Sequence, residues 1–200
     1  MLQDFKNIRL FDAIDAEYIL SPENKGTPAS LHSPALDVFT DFMDVKPVTV
    51  SESMPIAEAL EYMKSQHVRL LFVLDNKDTF AGIITAADAA GRKVMAFMQK
   101  NQVSRDQVQV RHIMLSKFNI KTLTYAQLCD TRVGDIMLTM KDSGDQHVVV
   151  IDESTAGVIR VRGIISSSDI SRRLKISFDI MYEAKSFAEI ENVLSENGGL

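Results

Sequence analysis

One heptapeptide pattern occurs twice in this chain and constrains its fold more than any other feature. Residues 82–88 are GIITAAD and residues 163–169 are GIISSSD. Each is a glycine, a short apolar run, a hydroxyl residue and an aspartate three places later. An internal repeat is sought before any single motif is interpreted, because it decides which architecture each motif belongs to. The recurrence predicts two copies of one strand-to-helix unit.

The residues before each heptapeptide repeat as well. An apolar stripe at helical spacing comes first in each copy. Its members are Ile56, Ala59, Leu60 and Met63 and, 77 positions later, Val133, Ile136, Met137 and Met140. The strand-like run RLLFVLD (69–75) returns as QHVVVID (146–152). The heptapeptides are offset by 81 positions, so four extra residues fall in the second hairpin, where we expect a longer connection between strands.

The repeat predicts an α/β (α+β) fold of two copies related by a pseudo-twofold axis, each a small sheet packed with two helices. A single copy of about 60 residues would have a marginal core, so the two copies are expected to share one. Short strands are predicted over 48–50 and 120–123, and closing helices over 86–100, with Gly91 a weak point, and over 168–174. The predicted organisation is an N-terminal segment and linker (1–40), repeat 1 (41–100), a linker (101–111), repeat 2 (112–177) and a C-terminal helix (178–200) with an apolar stripe of Phe187, Ile190 and Leu194.

Composition and motif searches exclude several function classes. The formal net charge of −5 argues against a general attraction to nucleic acid or to an anionic membrane. Cys129 is the only cysteine, and the sequence shows neither a signal-peptide pattern nor an apolar run of membrane-spanning length, so we expect a soluble, cytoplasmic protein. The four histidines are scattered without a zinc motif, and no nucleotide-hydrolase or nucleophile motif occurs, so neither a metal site nor catalysis is predicted.

Each copy has the order strand, helix, strand, strand, helix, with V-[LI]-D before the hairpin and G-I-I-[ST]-x-x-D at its close. This arrangement resembles a tandem pair of CBS domains, named for cystathionine β-synthase. The resemblance covers about residues 41–177. It implies a regulatory protein without catalytic activity that holds AMP, ADP, ATP or S-adenosylmethionine between the copies. It also implies flat homodimers, and the absence of an output domain in the sequence points to an output protein on another chain or to a second copy.

The resemblance implies a set of ligand-binding residues. The family's hydroxyl residues, which contact phosphate or ribose, correspond to Thr85 and Ser166. Its aspartates, which hold the ribose hydroxyls, correspond to Asp88 and Asp169. The adenine pocket corresponds to Thr49, Val50 and Ser51, and basic groups for a phosphate to His147, Arg172 and Arg173. Leu70 stands in the first copy where the second has His147, and the first strand of the second copy aligns poorly, which leaves open which cleft binds.

Each assignment has a structural alternative. Thr85 and Asp88 also fit a capping box, in which the hydroxyl caps the helix and the aspartate reaches back to it. The arginines at 172 and 173 also complement the dipole at a helix C-terminus. Arg160 and Arg162 share one strand face, which we expect to be solvated. A protein that kept the fold for interaction and lost its ligand is therefore the second hypothesis.

Overall fold

The structure, a computed structural model, describes residues 29–155 and 157–175, without the side chains of residues 154 and 155. The N-terminal segment 1–28 lies outside the described residues, as does the predicted C-terminal helix 178–200. None of the described helices is long and apolar enough to cross a membrane.

The described residues form eight strands and seven α-helices, with short 3-10 turns at 35–38, 105–107 and 117–119. The strands are β1 Thr40–Asp41, β2 Thr49–Ser51, β3 Leu70–Leu74, β4 Phe80–Thr85, β5 Leu115–Ser116, β6 Thr122–Thr124, β7 His147–Thr155 and β8 Val158–Ser166. The helices are α1 Ile56–Ser65, α2 Ala86–Ala90, α3 Arg92–Asn101, α4 Val110–Ile113, α5 Tyr125–Cys129, α6 Val133–Ser143 and α7 Ser167–Leu174.

Two four-stranded sheets have the same internal order, which confirms the predicted pair of α+β repeats. One sheet runs β2-β3-β4-β5 and the other β6-β7-β8-β1. In each sheet the first two strands are parallel and the remaining pairs are antiparallel. The limits of the two repeats at 41–100 and 112–177 stay a prediction.

The short strand that leads into each repeat pairs with the sheet of the other repeat. β1 pairs with β8, and β5 pairs with β4. The glycine that opens each heptapeptide lies under this crossing strand. A Cβ on Gly82 would collide with the carbonyl oxygen of Leu115, and one on Gly163 with the carbonyl oxygen of Thr40 and the ring of Phe39. The glycines are therefore required by the exchange of strands, which the repeat pattern alone does not reveal.

Three apolar clusters hold the described residues together. The predicted helical stripes lie in two of them, around Ile56 and Met63 in repeat 1 and around Val133 and Met140 in repeat 2. The third contains side chains of both sheets, among them Phe72, Ile83 and Val149, together with the partly buried Phe42 and Ile164. The third cluster joins the repeats, so burial of apolar surface stabilises the pair as one unit.

Two local expectations are wrong. The helix expected over 86–100 is broken at Gly91, whose backbone is extended (φ −99°, ψ −164°) and whose Cβ would collide with the carbonyl oxygen of Ala87. The extra residues of the second hairpin do not lengthen its loop. They extend β7 and β8 to nine residues each, against five and six in β3 and β4, and the chain reverses beside Gly157, at φ +78°.

Candidate functional site

Two clefts related by the pseudo-twofold axis lie between the repeats, and each takes residues from both. Cleft A encloses about 420 Å³ and is lined by residues of segments 40–48 and 67–72, by His147 and by residues of 164–172. Cleft B encloses about 330 Å³ and is lined by residues of segments 115–121, 144–147 and 83–93. Each heptapeptide therefore lines a cleft together with the segment that leads into the other repeat.

In cleft B, Thr85 caps helix α2, as the capping-box interpretation of the sequence expects. The Thr85 hydroxyl accepts the backbone N–H of Asp88 (3.1 Å) and donates to Asp88 Oδ2 (2.8 Å). The second carboxylate oxygen of Asp88 lies 2.7 Å from Lys93 Nζ. Both oxygens of this carboxylate thus have a partner within repeat 1.

Cleft A repeats this arrangement with the second heptapeptide. The Ser166 hydroxyl accepts the backbone N–H of Asp169 (3.1 Å) and donates to Asp169 Oδ2 (2.5 Å). The guanidinium of Arg172 bonds to Asp169 Oδ1. Two carboxylate oxygens offer about four lone pairs, so capping leaves acceptor capacity on Asp169 for a ligand. Capping and ligand binding are therefore compatible at this residue.

The clefts differ in charge. Cleft A is lined by Lys46, Arg69 and Arg172 against the single carboxylate of Asp169. Cleft B is lined by Lys93 and Lys121 against the two carboxylates of Asp88 and Asp145. An anion in an acidic protein needs local positive charge, and among the described residues cleft A has the excess of cations.

The clefts also differ in their apolar lining. Cleft A contains Phe42 and Phe72, whose rings meet edge to face with centroids 5.0 Å apart, and Pro47 and Val48 lie beside them. The apolar residues of cleft B are aliphatic, among them Ile83, Leu115 and Ile120. Cleft A is therefore the better surface for a planar aromatic ring.

His147 lies between the two heptapeptides and lines both clefts. It starts β7 opposite Ser166 in the ladder with β8. Burial lowers the pKa of His147, and the carboxylates of Asp169, Asp88 and Asp145 act in the opposite direction. The imidazole is thus neutral near pH 7 and offers one hydrogen-bond donor and one acceptor to either cleft.

The structure brings six of the ten predicted site residues to the clefts. They are Thr85 and Asp88 in cleft B, Ser166, Asp169 and Arg172 in cleft A, and His147 in both. Four lie elsewhere: Thr49 lines a different cavity, Val50 is buried in the core of repeat 1, Ser51 is exposed and bonded to Ser53, and Arg173 is exposed on α7.

The residues that line cleft A ahead of β2 were missed by the sequence analysis. They lie at positions 45–48, just before the expected adenine pocket in the chain, and Lys46 brings one of the cations. A lysine directly before Pro47, at the entry to the first strand, was the available signal. Arg69, the neighbour of Leu70, lines the same cleft.

Arg162 is not solvated as expected. Its guanidinium donates to both oxygens of Asp41, at 2.8 and 2.9 Å, and lies 4.6 Å from the centre of the Tyr125 ring. The hydrogen bond from Arg162 lowers the pKa of Asp41. Arg160 on the same strand face is 3.2 Å from Asp152. These arginines hold β1 and β7 to β8.

Within residues 29–155 and 157–175, no group of three or more His, Cys, Asp or Glu side chains is placed to hold a metal ion. The polar groups of the clefts are hydroxyls, carboxylates, amides, imidazoles and cations. They suit recognition of an organic anion by hydrogen bonds and charge.

Residues 38–95 match the model of the CBS domain family. This segment contains the first heptapeptide, and the second repeat has the same strand order and a second heptapeptide. Repeat 1 is therefore similar to a CBS domain over these residues, and repeat 2 shares its strand order. Among proteins with curated descriptions, none matches this chain in sequence.

Solved structures have a similar fold. An uncharacterised conserved protein from Pyrococcus horikoshii is 20% identical, with 72% of this chain and 92% of that chain covered and a TM-score of 0.52. Protein MJ1225 from Methanocaldococcus jannaschii is 21% identical, with 70% and 49% covered and a TM-score of 0.50. The CBS domain pair of protein MJ0100, solved in complex with 5′-methylthioadenosine and S-adenosyl-L-methionine, is 24% identical, with 72% and 95% covered and a TM-score of 0.48.

Proposed function

We propose that this pair of repeats is a regulatory module that binds an adenine nucleotide or a related adenosyl compound in cleft A. The observation that carries the proposal is the combination, in one cleft, of an aromatic wall, a carboxylate beside a hydroxyl, and an excess of cations. Cleft B has the carboxylate and the hydroxyl but neither of the other two features.

The adenine ring would lie against the apolar wall of cleft A. Phe42, Phe72 and Val48 line this part of the cleft, and Ile164 lies on the side of the second repeat. A flat heterocycle between apolar side chains gains from burial and from contact with aromatic edges. The wall joins residues of both repeats, so the base would contact both.

The ribose would lie at Asp169. A carboxylate accepts two vicinal hydroxyls, and the Asp169 side chain is 28% exposed, open to the cleft. The Ser166 hydroxyl orients the carboxylate through its 2.5 Å hydrogen bond. Hydrogen bonds to a charged group contribute about 1.5–3 kcal/mol each.

Phosphate or another anionic group would be held by Lys46, Arg69 and Arg172. The two arginines are on different repeats, one ahead of β3 and one on α7. Arginine binds phosphate through two parallel N–H donors, so a phosphate between the two would link the repeats. A ligand regulates only through different affinity for two arrangements of the protein, and a ligand that spans the repeats meets this condition.

The regulated partner is proposed to be another chain or a second copy of this one. Regulation by binding, rather than catalysis, is the role proposed for cleft A. The homodimer and the cytoplasmic location stay predictions.

A protein that lost ligand binding and serves as an interaction scaffold is the second candidate. It is favoured by the internal partners of both aspartates, since capping and ion pairing give each carboxylate a structural role. Leu70 in place of a second histidine favours it as well.

Thermal unfolding with AMP, ADP, ATP and S-adenosylmethionine separates the candidates. A ligand at about 100 times its Kd adds about 2.7 kcal/mol to the free energy of unfolding. This raises the Tm of a chain of this size by about 5 to 10 °C. If none of the four compounds moves the Tm, the scaffold hypothesis is favoured. Product formed from ATP during the incubation would instead indicate an enzyme.

A further inference from the structure

A third cavity, which we name the distal groove, shares Phe42, Pro47 and Phe72 with cleft A and Ile120 with cleft B, but contains neither Asp88 nor Asp169. It encloses about 820 Å³ and takes residues from both repeats. Phe72, Phe80 and Phe118 line it with Ile120 and Ile159. The volume lies within the range of about 300–1,000 Å³ that is usual for small-molecule sites.

The rim of the distal groove exposes large apolar side chains. The Phe118 side chain is 87% exposed, and Ile159 is 66% exposed. Scattered exposed apolar residues are normal on protein surfaces, but a patch of them around a concave apolar cavity marks a binding surface. The distal groove therefore has the form of a site whose apolar lining is covered on binding.

The second repeat builds one wall of the groove with its longer hairpin. Ile159 belongs to the part of β8 that extends past the hairpin of repeat 1. Counted by the offset of the heptapeptides, its counterpart is Asp78, which lies in the tight turn after β3. The longer hairpin of the second copy thus places the apolar side chain of Ile159 at the groove, where the first copy has a turn residue.

The charged side chains that line the groove are two cations. Lys117 and Arg160 line it, and among its described lining residues there is no carboxylate. The Lys117 ammonium lies 5.7 Å from the centre of the Phe118 ring. Arg160 is 3.2 Å from Asp152, and its side chain is 55% exposed. Cations at the edge of an apolar cavity are complementary to an organic anion with an apolar body.

We propose that the distal groove binds an amphipathic monoanion, a medium-chain carboxylate. Its alkyl chain would cover the phenylalanine and isoleucine side chains, and its carboxylate would meet Lys117 and Arg160. The threonine hydroxyls at 49, 79 and 122 would supply the remaining donors. The proposal does not depend on a nucleotide in cleft A.

Calorimetric titration with dodecanoate, below its micelle concentration and near neutral pH, tests the proposal. The wild-type protein is expected to bind one dodecanoate saturably. Ile159→Asp, which places a carboxylate against the ligand, is expected to weaken binding at least about tenfold. Lys117→Glu is expected to weaken it about fivefold. Val158→Asp is the matched control, because Val158 is exposed on the same strand but does not line the groove. It is expected to bind as the wild type does.

Several outcomes would overturn the proposal. One is the absence of saturable binding to the wild-type protein, which would result if a second copy or a terminal segment of the chain covers the groove. Sedimentation identifies a second copy, because the wild type would then be a dimer and Ile159→Asp a monomer. Equal weakening by Val158→Asp, loss of binding in Asp169→Asn, or equal affinity for dodecanol would also contradict it. A parallel titration with AMP measures binding in cleft A separately, so that a failure of the proposed nucleotide site is not mistaken for a failure of the distal groove.

Discussion

Gly82 and Gly163 are residues at which a crossing strand leaves no room for a side chain. The backbone of a crossing strand passes directly over each of them. Gly163→Ala is expected to lower the free energy of unfolding by about 1–3 kcal/mol, because the added methyl group pushes β1 away from β8. Thermal unfolding measures the loss, and an unchanged Tm would contradict the proposed contact.

His147 makes the stability of the protein depend on pH. Burial lowers the pKa of the folded state below the value of about 6.5 in the unfolded chain, so unfolding takes up a proton at mildly acid pH. Its contribution is fully present above about pH 6.5 and is lost as the pH falls through the folded pKa. Asp88, Asp145 and Asp169 face the ring and limit the shift.

His147→Leu, which copies the residue of the first repeat, is expected to flatten the decline in stability between about pH 7 and pH 5. Denaturant unfolding at a series of pH values gives the free energy of unfolding of both proteins, and the difference between them at each pH measures the contribution of His147. His112, whose pKa is also lowered by burial, contributes equally to both proteins. Parallel curves for the two proteins would show that His147 does not carry the effect.

At the scale of elements, an ion pair holds the crossing strand β1 to the second sheet. Arg162 on β8 bonds to Asp41 on β1 through two donors, and both side chains are partly buried. Arg162→Ala is expected to lower the free energy of unfolding by more than Arg160→Ala does, because Asp41 loses its partner. Arg160→Ala, on the same strand face but more exposed, is expected to cost at most about 1 kcal/mol.

A double-mutant cycle of Arg162→Ala with Asp41→Asn, read by denaturant unfolding, isolates the pair. The lowered pKa of Asp41 means that the coupling is present above about pH 4 and is lost as the pH falls further. Coupling that is absent at neutral pH, or equal losses for Arg160→Ala and Arg162→Ala, would contradict this role of Arg162 in holding β1.

Helices α1 and α6 and the start of the strands that follow them, β3 and β7, were predictable because local periodicity determines them. Ile56 and Val133 lie on apolar stripes whose spacing needs no tertiary information. The strand exchange was not predictable in this way, because a two-residue strand such as β5 carries no period. The repeated position of Gly82 and Gly163 held the signal, since a glycine inside a strand marks a close approach of other backbone.

The ion pair of Arg162 depends on a tertiary contact, because its partner Asp41 lies 121 positions away in the chain. Strand alternation places Arg162 on a face but does not say what covers that face.

At the scale of the molecule, strand exchange and the shared core predict that the two repeats unfold together. Each sheet loses an edge strand if the other repeat unfolds, and the cluster around Phe72 and Val149 contains both sheets. Scanning calorimetry is expected to show one transition with equal calorimetric and van't Hoff enthalpies. Two separate transitions would show that the repeats are independent.

The composition of the clefts is also a property of the whole molecule. In the sequence, copy one has the better first strand and copy two the better basic groups. The structure places the segment ahead of β2 and the residues Ser166, Asp169 and Arg172 in the same cleft. A sequence repeat shows which residues belong to each copy. Which of them share a cleft depends on how the two copies pack across the pseudo-twofold axis.

The most direct test of the proposed function is the number and place of bound nucleotides. Calorimetric titration would use whichever of the four adenosyl compounds raises the Tm most. One ligand per chain is expected for the wild type and for Asp88→Asn. Asp169→Asn removes a charged acceptor for the ribose and is expected to weaken binding by roughly 10- to 150-fold. Binding that survives in Asp169→Asn and is lost in Asp88→Asn would place the ligand in cleft B and contradict the assignment of the nucleotide to cleft A.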